Sequence, residues 1–167
     1  MLSKKRFKEI YQHTLKWEGG EKLHNVKGDS GGWTKYGIAY NFNKHHFDSL
    51  DGFKEMTYDR AAEIAYQNYA LPISLELVNG EAQAMLFDMA FNMGVKSAIK
   101  CAQRALNLEA DGIIGKITKA ALKDLDKEKL YYQRMAYYQR VVNNNATQNK
   151  FLKGWTNRTN YFLNTSI

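Results

Sequence analysis

The chain of 167 residues has one cysteine and one proline. A lone Cys101 excludes an intramolecular disulfide, so the fold does not depend on an oxidising compartment. It sits inside an apolar helical pattern and reads as a small core residue. A single proline and few β-branched runs lean the composition toward helix. No stretch approaches 18 apolar residues, which excludes a transmembrane helix and stable membrane insertion. The start, Met1-Leu2-Ser3-Lys4-Lys5-Arg6-Phe7-Lys8-Glu9, is basic, but no apolar segment follows it. No signal peptide is expected, and synthesis in the cytoplasm is. The sequence has no phosphate-binding P-loop, no G-x-G-x-x-G, no Cys-x-x-Cys and no serine-hydrolase elbow. His45-His46 has no Cys or carboxylate cluster beside it, and adjacent histidines point apart on most backbones. A solvated loop is expected there, and neither a metal nor a cofactor.

What is present is ordinary for a globular protein: 44% hydrophobic and 25% charged residues, enough for one domain with a sizeable core. The formal charge of +7 suits an anionic partner, whether nucleic acid, a membrane surface or an anionic cell-wall polymer. A solubilising surface bias explains the same number. A monomer is expected.

Along the chain, Phe7, Ile10, Tyr11, Thr14 and Leu15 recur at helical spacing, and Gly19-Gly20 supplies the stop. Between Glu21 and Asn43, four glycines punctuate short aromatic and polar pieces, the one place where a small β-hairpin flap is expected. Helical patterns follow. Thr57 caps one that breaks at Leu71-Pro72, and an apolar helix runs from Glu81 to Asn92. Others run from about Ser97 to Leu108, through Leu122, from about Asp126 to Val142, and across Phe151, Leu152, Trp155, Thr159 and Phe162. The polar tract 143–149 reads as a loop. The expected fold is mainly α with a small β-flap, in two lobes around a cleft where a polymer would lie.

Glu18 stands at the first helix end, before Gly19-Gly20. The negative end of the helix dipole disfavours an anion there, by about 0.3–1 kcal/mol, and so favours a protonated acid. Burial against Trp17 would add to that effect. Cleaving a glycosidic bond needs one carboxyl group to protonate the leaving oxygen and a second group to handle water. Asp29 is the second carboxylate, and Thr34 can share the water because a hydroxyl both donates and accepts. Gly31 and Gly32 let the backbone approach a sugar closely, and Trp17, Trp33 and Tyr36 offer flat faces for sugar rings. An exposed helix-end Glu18 and a turn-capping Asp29 fit the same spacing.

Trp17-Glu18-Gly19-Gly20 followed by Asp29-Ser30-Gly31-Gly32-Trp33-Thr34-Lys35-Tyr36-Gly37-Ile38 resembles the signature of glycoside hydrolase family 108. These are lysozyme-like N-acetylmuramidases of phage endolysins and bacterial secretion activator proteins. The run Leu86-Phe87-Asp88-Met89-Ala90-Phe91-Asn92-Met93-Gly94 looks like the start of the predicted peptidoglycan domain that accompanies them. Gln103-Arg104-Ala105-Leu106 with Asp111-Gly112-Ile113-Ile114-Gly115 and Thr118, and then Phe151 to Arg158, resemble its later motifs. The resemblance implies a lysozyme-like catalytic lobe over residues 1–95 and a helical peptidoglycan-domain-like lobe over 96–167, packed as one structural unit. It also implies Glu18 as the catalytic acid and peptidoglycan glycan strands as the partner. The bond cut would be the β-1,4 link between N-acetylmuramic acid and N-acetylglucosamine, reached with a holin or another export route. A lytic transglycosylase using the same Glu, and a non-catalytic protein binding cell wall or nucleic acid, are the rivals. Two positions depart from the signature: Glu21 stands where an aromatic is expected, and Ser30 where a proline is.

Several features keep two readings. Asp88 and Asn92, four apart on one helix face, either bind acetamido and hydroxyl groups in the cleft or form a buried pair fixing helix packing. The Asp111–Gly115 run is either a wall contact or a tight turn between helices. The stretch from Tyr131 to Arg140 is either a nucleic-acid surface or a packed helix with arginines at its rim.

Overall fold

Ser3 starts the first helix by accepting a hydrogen bond from the Arg6 N–H at 3.1 Å, the cap its hydroxyl favours. This helix, α1 (Lys4–Leu15), buries the five residues that recur at helical spacing: Phe7, Ile10, Tyr11, Thr14 and Leu15. The computed structural model describes residues 2–25 and 30–167. They form two packing units, residues 3–68 and residues 69–167 with Leu2, each taken by itself below.

In the first unit α1 is followed by a three-stranded antiparallel sheet in sequential order. Its strands are β1 (His24–Asn25), β2 (Trp33–Lys35) and β3 (Ile38–Ala39). His24 pairs with Thr34 and Asn25 with Trp33, while Thr34 pairs with Ala39 and Lys35 with Ile38. The β2–β3 link is the two-residue turn Tyr36-Gly37, with φ of +51° and +70°, the left-handed pair a type I′ hairpin requires. Three short helices, α2 (Tyr40–Asn43), α3 (Leu50–Lys54) and α4 (Tyr58–Ala65), complete this unit. Thr57 caps α4 as expected, its hydroxyl accepting from the Arg60 N–H at 3.2 Å. The α4 helix passes into a π-helical turn, Tyr66–Ala70, which ends where Leu71-Pro72 was expected to break the pattern. A chain of rings fills the interior: Phe7 on Tyr11, Tyr11 on Tyr58, and Tyr36 edge-on to Tyr58 at 5.9 Å between centroids.

The second unit is built around α5 (Gly80–Met93), which buries every residue from Ala82 to Ala90. A helix buried on all sides belongs inside a bundle, and α6 (Val95–Ala105), α8 (Lys127–Asn144) and α9 (Asn149–Asn164) pack against it. The short α7 (Lys116–Ala121) precedes α8, which Asp126 caps by accepting from the Lys129 N–H at 2.8 Å. The tract read as a loop is more ordered than expected. Helix α8 runs to Asn144, and a 3-10 turn, Ala146–Gln148, leads directly into α9. Among the described residues, no helix is long and apolar enough to cross a membrane.

Candidate active site

Glu18 lies in the tightened turn just past α1. The Trp17 N–H bonds to the Thr14 carbonyl at 3.0 Å and the Glu18 N–H to the Leu15 carbonyl at 3.1 Å. The Gly20 N–H then returns to the same Leu15 carbonyl at 3.2 Å, with Gly19 at φ +77°. That is a Schellman-type closure, and its left-handed residue is the reason a glycine must follow Glu18. Both Trp17 and Glu18 are half-buried.

The sheet is fastened to this turn. The Tyr36 N–H donates to the Gly20 carbonyl at 3.1 Å, and the Tyr11 hydroxyl donates to the Tyr36 carbonyl. Tyr36, expected to offer its ring to a sugar, is only 9% exposed. Burial pushes its hydroxyl above the ordinary tyrosine range, and the charge and hydrogen bond of Glu21 push it further the same way. Glu21, one of the two departures from the signature, thus has a partner in the Tyr36 hydroxyl.

Side chains alternate along a strand, so Thr34 projects from one face of β2 and Trp33 and Lys35 from the other. Trp33 is half-buried, and the Lys54 ammonium sits over its ring at 5.3 Å. Lys35 donates to the Lys54 carbonyl at 2.7 Å. One aromatic face expected for sugar stacking therefore has a cation above it. Gly31 accepts from the Asn41 N–H at 3.1 Å, while Gly32 adopts φ +67° with Asn41 against its α-carbon. Asp29 lies outside the described residues.

Sequence reasoning passed over His24. It stands opposite Thr34 on β1, and a Cβ built on Gly19 would meet its Cε1 at 3.9 Å. Only the strand register reveals this placement, and no local pattern carries that information.

Asp88 and Asn92 belong to the second unit, where they match a pair on α8 with the same spacing. Arg134 Nη2 donates to Asp88 at 2.6 Å, and Arg134 Nε donates to the Tyr138 hydroxyl at 3.0 Å. That hydroxyl in turn donates to Asn92 Oδ1 at 2.7 Å. Arg158 of α9 also donates to Asp88, from both Nε and Nη2, and Asp88 is fully buried. The packing alternative is the one this geometry matches. It also corrects the expectation of rim arginines: Arg140 is exposed, but Arg134 is 0% exposed because Asp88 neutralises it inside.

The Asp111–Gly115 run is a built turn. Gln103 Nε2 donates to Asp111 Oδ1 at 2.6 Å and to the Ile113 carbonyl at 3.0 Å, and Gln103 Oε1 accepts from the Gly112 N–H at 2.8 Å. The Gln103 bond first, and second a bond from the Ile113 N–H to Asp111 Oδ1 at 2.8 Å, hold the Asp111 carboxyl below the usual carboxylate range. The His45 and His46 rings do approach, with centroids 4.1 Å apart. Among the described residues no group of three or more His, Cys, Asp or Glu is placed to hold a metal ion.

Residues 11–94, which include Glu18 and Thr34, match the model of glycosyl hydrolase 108, and residues 97–160 that of a predicted peptidoglycan domain. The chain is similar to the structure of Brucella abortus SagA at 25% identity and a TM-score of 0.75. The match covers 96% of this chain and 93% of that one. None of the curated proteins matches. The mainly α, lysozyme-like fold with a small β-flap is the fold observed.

Proposed function

Because this chain belongs to the glycosyl hydrolase 108 family, we propose that it cuts the β-1,4 bond between N-acetylmuramic acid and N-acetylglucosamine, with Glu18 as the acid. It is a glycoside hydrolase, and its substrate is peptidoglycan. The observation that carries the proposal is the position of Glu18. The half-buried Glu18 lies just past the end of α1, where the helix dipole disfavours an anion, and the β-flap is hydrogen-bonded to the very turn that follows it. Glu18 protonates the glycosidic oxygen as the bond breaks. Thr34 and Asp29 position the water, and Trp17, Gly31, Gly32 and Trp33 contact the sugars. The functional division is a catalytic lobe over 1–95 and a wall-directed lobe over 96–167. A charge of +7 favours adhesion to an anionic wall, which suits an endolysin acting as a monomer in cell-wall lysis.

The test is a zymogram of wild type, Glu18→Gln and Asp29→Asn on purified peptidoglycan, with the fragments analysed by mass. Clearing by the wild type, loss with Glu18→Gln, and reducing N-acetylmuramic acid ends are expected. A 1,6-anhydromuramic end would identify a transglycosylase instead, and full clearing by Glu18→Gln would remove the acid assignment.

A further inference from the structure

We propose that His24 takes the proton from the attacking water, so that the site pairs a carboxylic acid with an imidazole base. The proposal rests on the reading of Glu18 as the acid and deepens it. Residues directly opposite one another in an antiparallel pair project from the same face of the sheet, so His24 shares its face with Thr34. From that face the ring reaches back to the catalytic turn, where its Cε1 stands 3.9 Å from the Cβ position of Gly19, the residue after Glu18. The imidazole therefore shares the face of Thr34 and lies against the backbone turn that follows Glu18.

The hydrogen bonding fixes which nitrogen is the base. His24 Nδ1 is 3.1 Å from the Lys22 carbonyl oxygen. A carbonyl oxygen only accepts, so Nδ1 carries the proton and Nε2 keeps its lone pair. His24 is exposed, which leaves Nε2 open to water and substrate. Glu18, Glu21 and Lys22 are the charged side chains along its own stretch of chain.

The step balances with these two groups. Water held by Thr34 attacks the anomeric carbon, and one of its protons passes to His24 Nε2. The bond from that carbon to the leaving oxygen breaks, and the leaving oxygen takes the proton that Glu18 held. One displacement inverts the anomeric centre. An imidazolium and a carboxylate remain, of opposite charge, and they exchange protons with solvent to reset the site.

The experiment compares wild type, His24→Ala, His24→Gln and Glu18→Gln on soluble peptidoglycan oligomers. Both His24 variants should melt like wild type, because the side chain is exposed. Their kcat should fall on the order of 10²-fold or more, the usual contribution of general base catalysis, with KM near its wild-type value. Free imidazole should restore activity to His24→Ala and leave Glu18→Gln inactive. Proton NMR of the first turnovers should show the α-anomer of the new reducing end. A wild-type kcat in His24→Ala, a loss that imidazole does not restore, or a β-anomer released first would each overturn the base assignment. A fully active Glu18→Gln would instead bring down the acid assignment on which it rests.

Discussion

Arg158 on α9 grips Asp88 on α5 fork to fork, with Nη2 2.7 Å from one carboxylate oxygen and Nε 2.9 Å from the other. Arg134 joins from α8 at 2.6 Å, and none of the three side chains is more than 6% exposed. Two guanidinium groups thus share one carboxylate in the interior. Removing one partner of a buried pair costs about 3–5 kcal/mol, because a charge is left without compensation. Asp88→Ala is expected to lose that much in denaturant titration, since it strands two cations. Arg134→Met leaves a one-to-one pair and is expected to lose clearly less. Equal losses would remove the charge-count explanation.

Gly32→Ala is expected to loosen the flap. Its φ of +67° would cost an L-residue about 1–2 kcal/mol. The new Cβ would also stand 2.8 Å from Asn41 Nδ2, which donates to the Ser30 carbonyl at 2.9 Å. Hydrogen exchange at the Asn41 amide, which bonds to the Gly31 carbonyl, should accelerate. An unchanged exchange rate would show that the flap does not depend on this contact.

Tyr58 makes the first unit sensitive to alkali. Burial pushes its hydroxyl up to about 12, with the Asp59 charge adding to the effect. The hydroxyl donates to the Lys8 carbonyl at 2.7 Å. A folded-state value raised above the unfolded 10.0 means that the unfolded chain gives up its proton first. The contribution is whole below the unfolded value and is lost as pH climbs through the folded one. Tyr58→Phe should lose less stability than wild type over that alkaline interval, measured by thermal melts. Parallel pH curves for the two proteins would count against it.

His46 acts in the opposite direction. Burial lowers it from 6.5, and the nearby His45 and Arg60 lower it further. The unfolded chain therefore binds the proton more readily, and stability falls as pH drops through the unfolded value. His13 is lowered in the same way, by burial first and Lys16 second. His46→Gln should therefore remove part of the acid sensitivity, visible as a smaller drop in Tm from neutral pH to about pH 5. A drop as large as that of wild type would contradict this.

What the sequence made legible was local. The buried face of α1, the Thr57 cap and the glycine stop after Glu18 follow from periodicity and capping chemistry, which act over a few residues. The inward turn of Tyr36 onto Tyr58, the Lys54 ammonium over Trp33 and the burial of Arg134 against Asp88 depend on partners 21 to 46 residues away, and no local pattern specifies them. At the candidate site, local pattern alone left Glu18 open between an acid and an exposed helix-end residue, and the family resemblance selected the acid. His24 emerged only with the pairing of β1 and β2.

The Asp88 cluster also makes three helices answer to one charge. The carboxylate on α5 is gripped from α8, 46 positions on, and from α9, 70 positions on. Without α9 the Asp88–Arg134 pair would face water on the side that Arg158 now covers, and a dry triad would become a wet pair. Residues 69–167 therefore close as a set, because the charge at their centre is matched in the interior only when all three helices are in place.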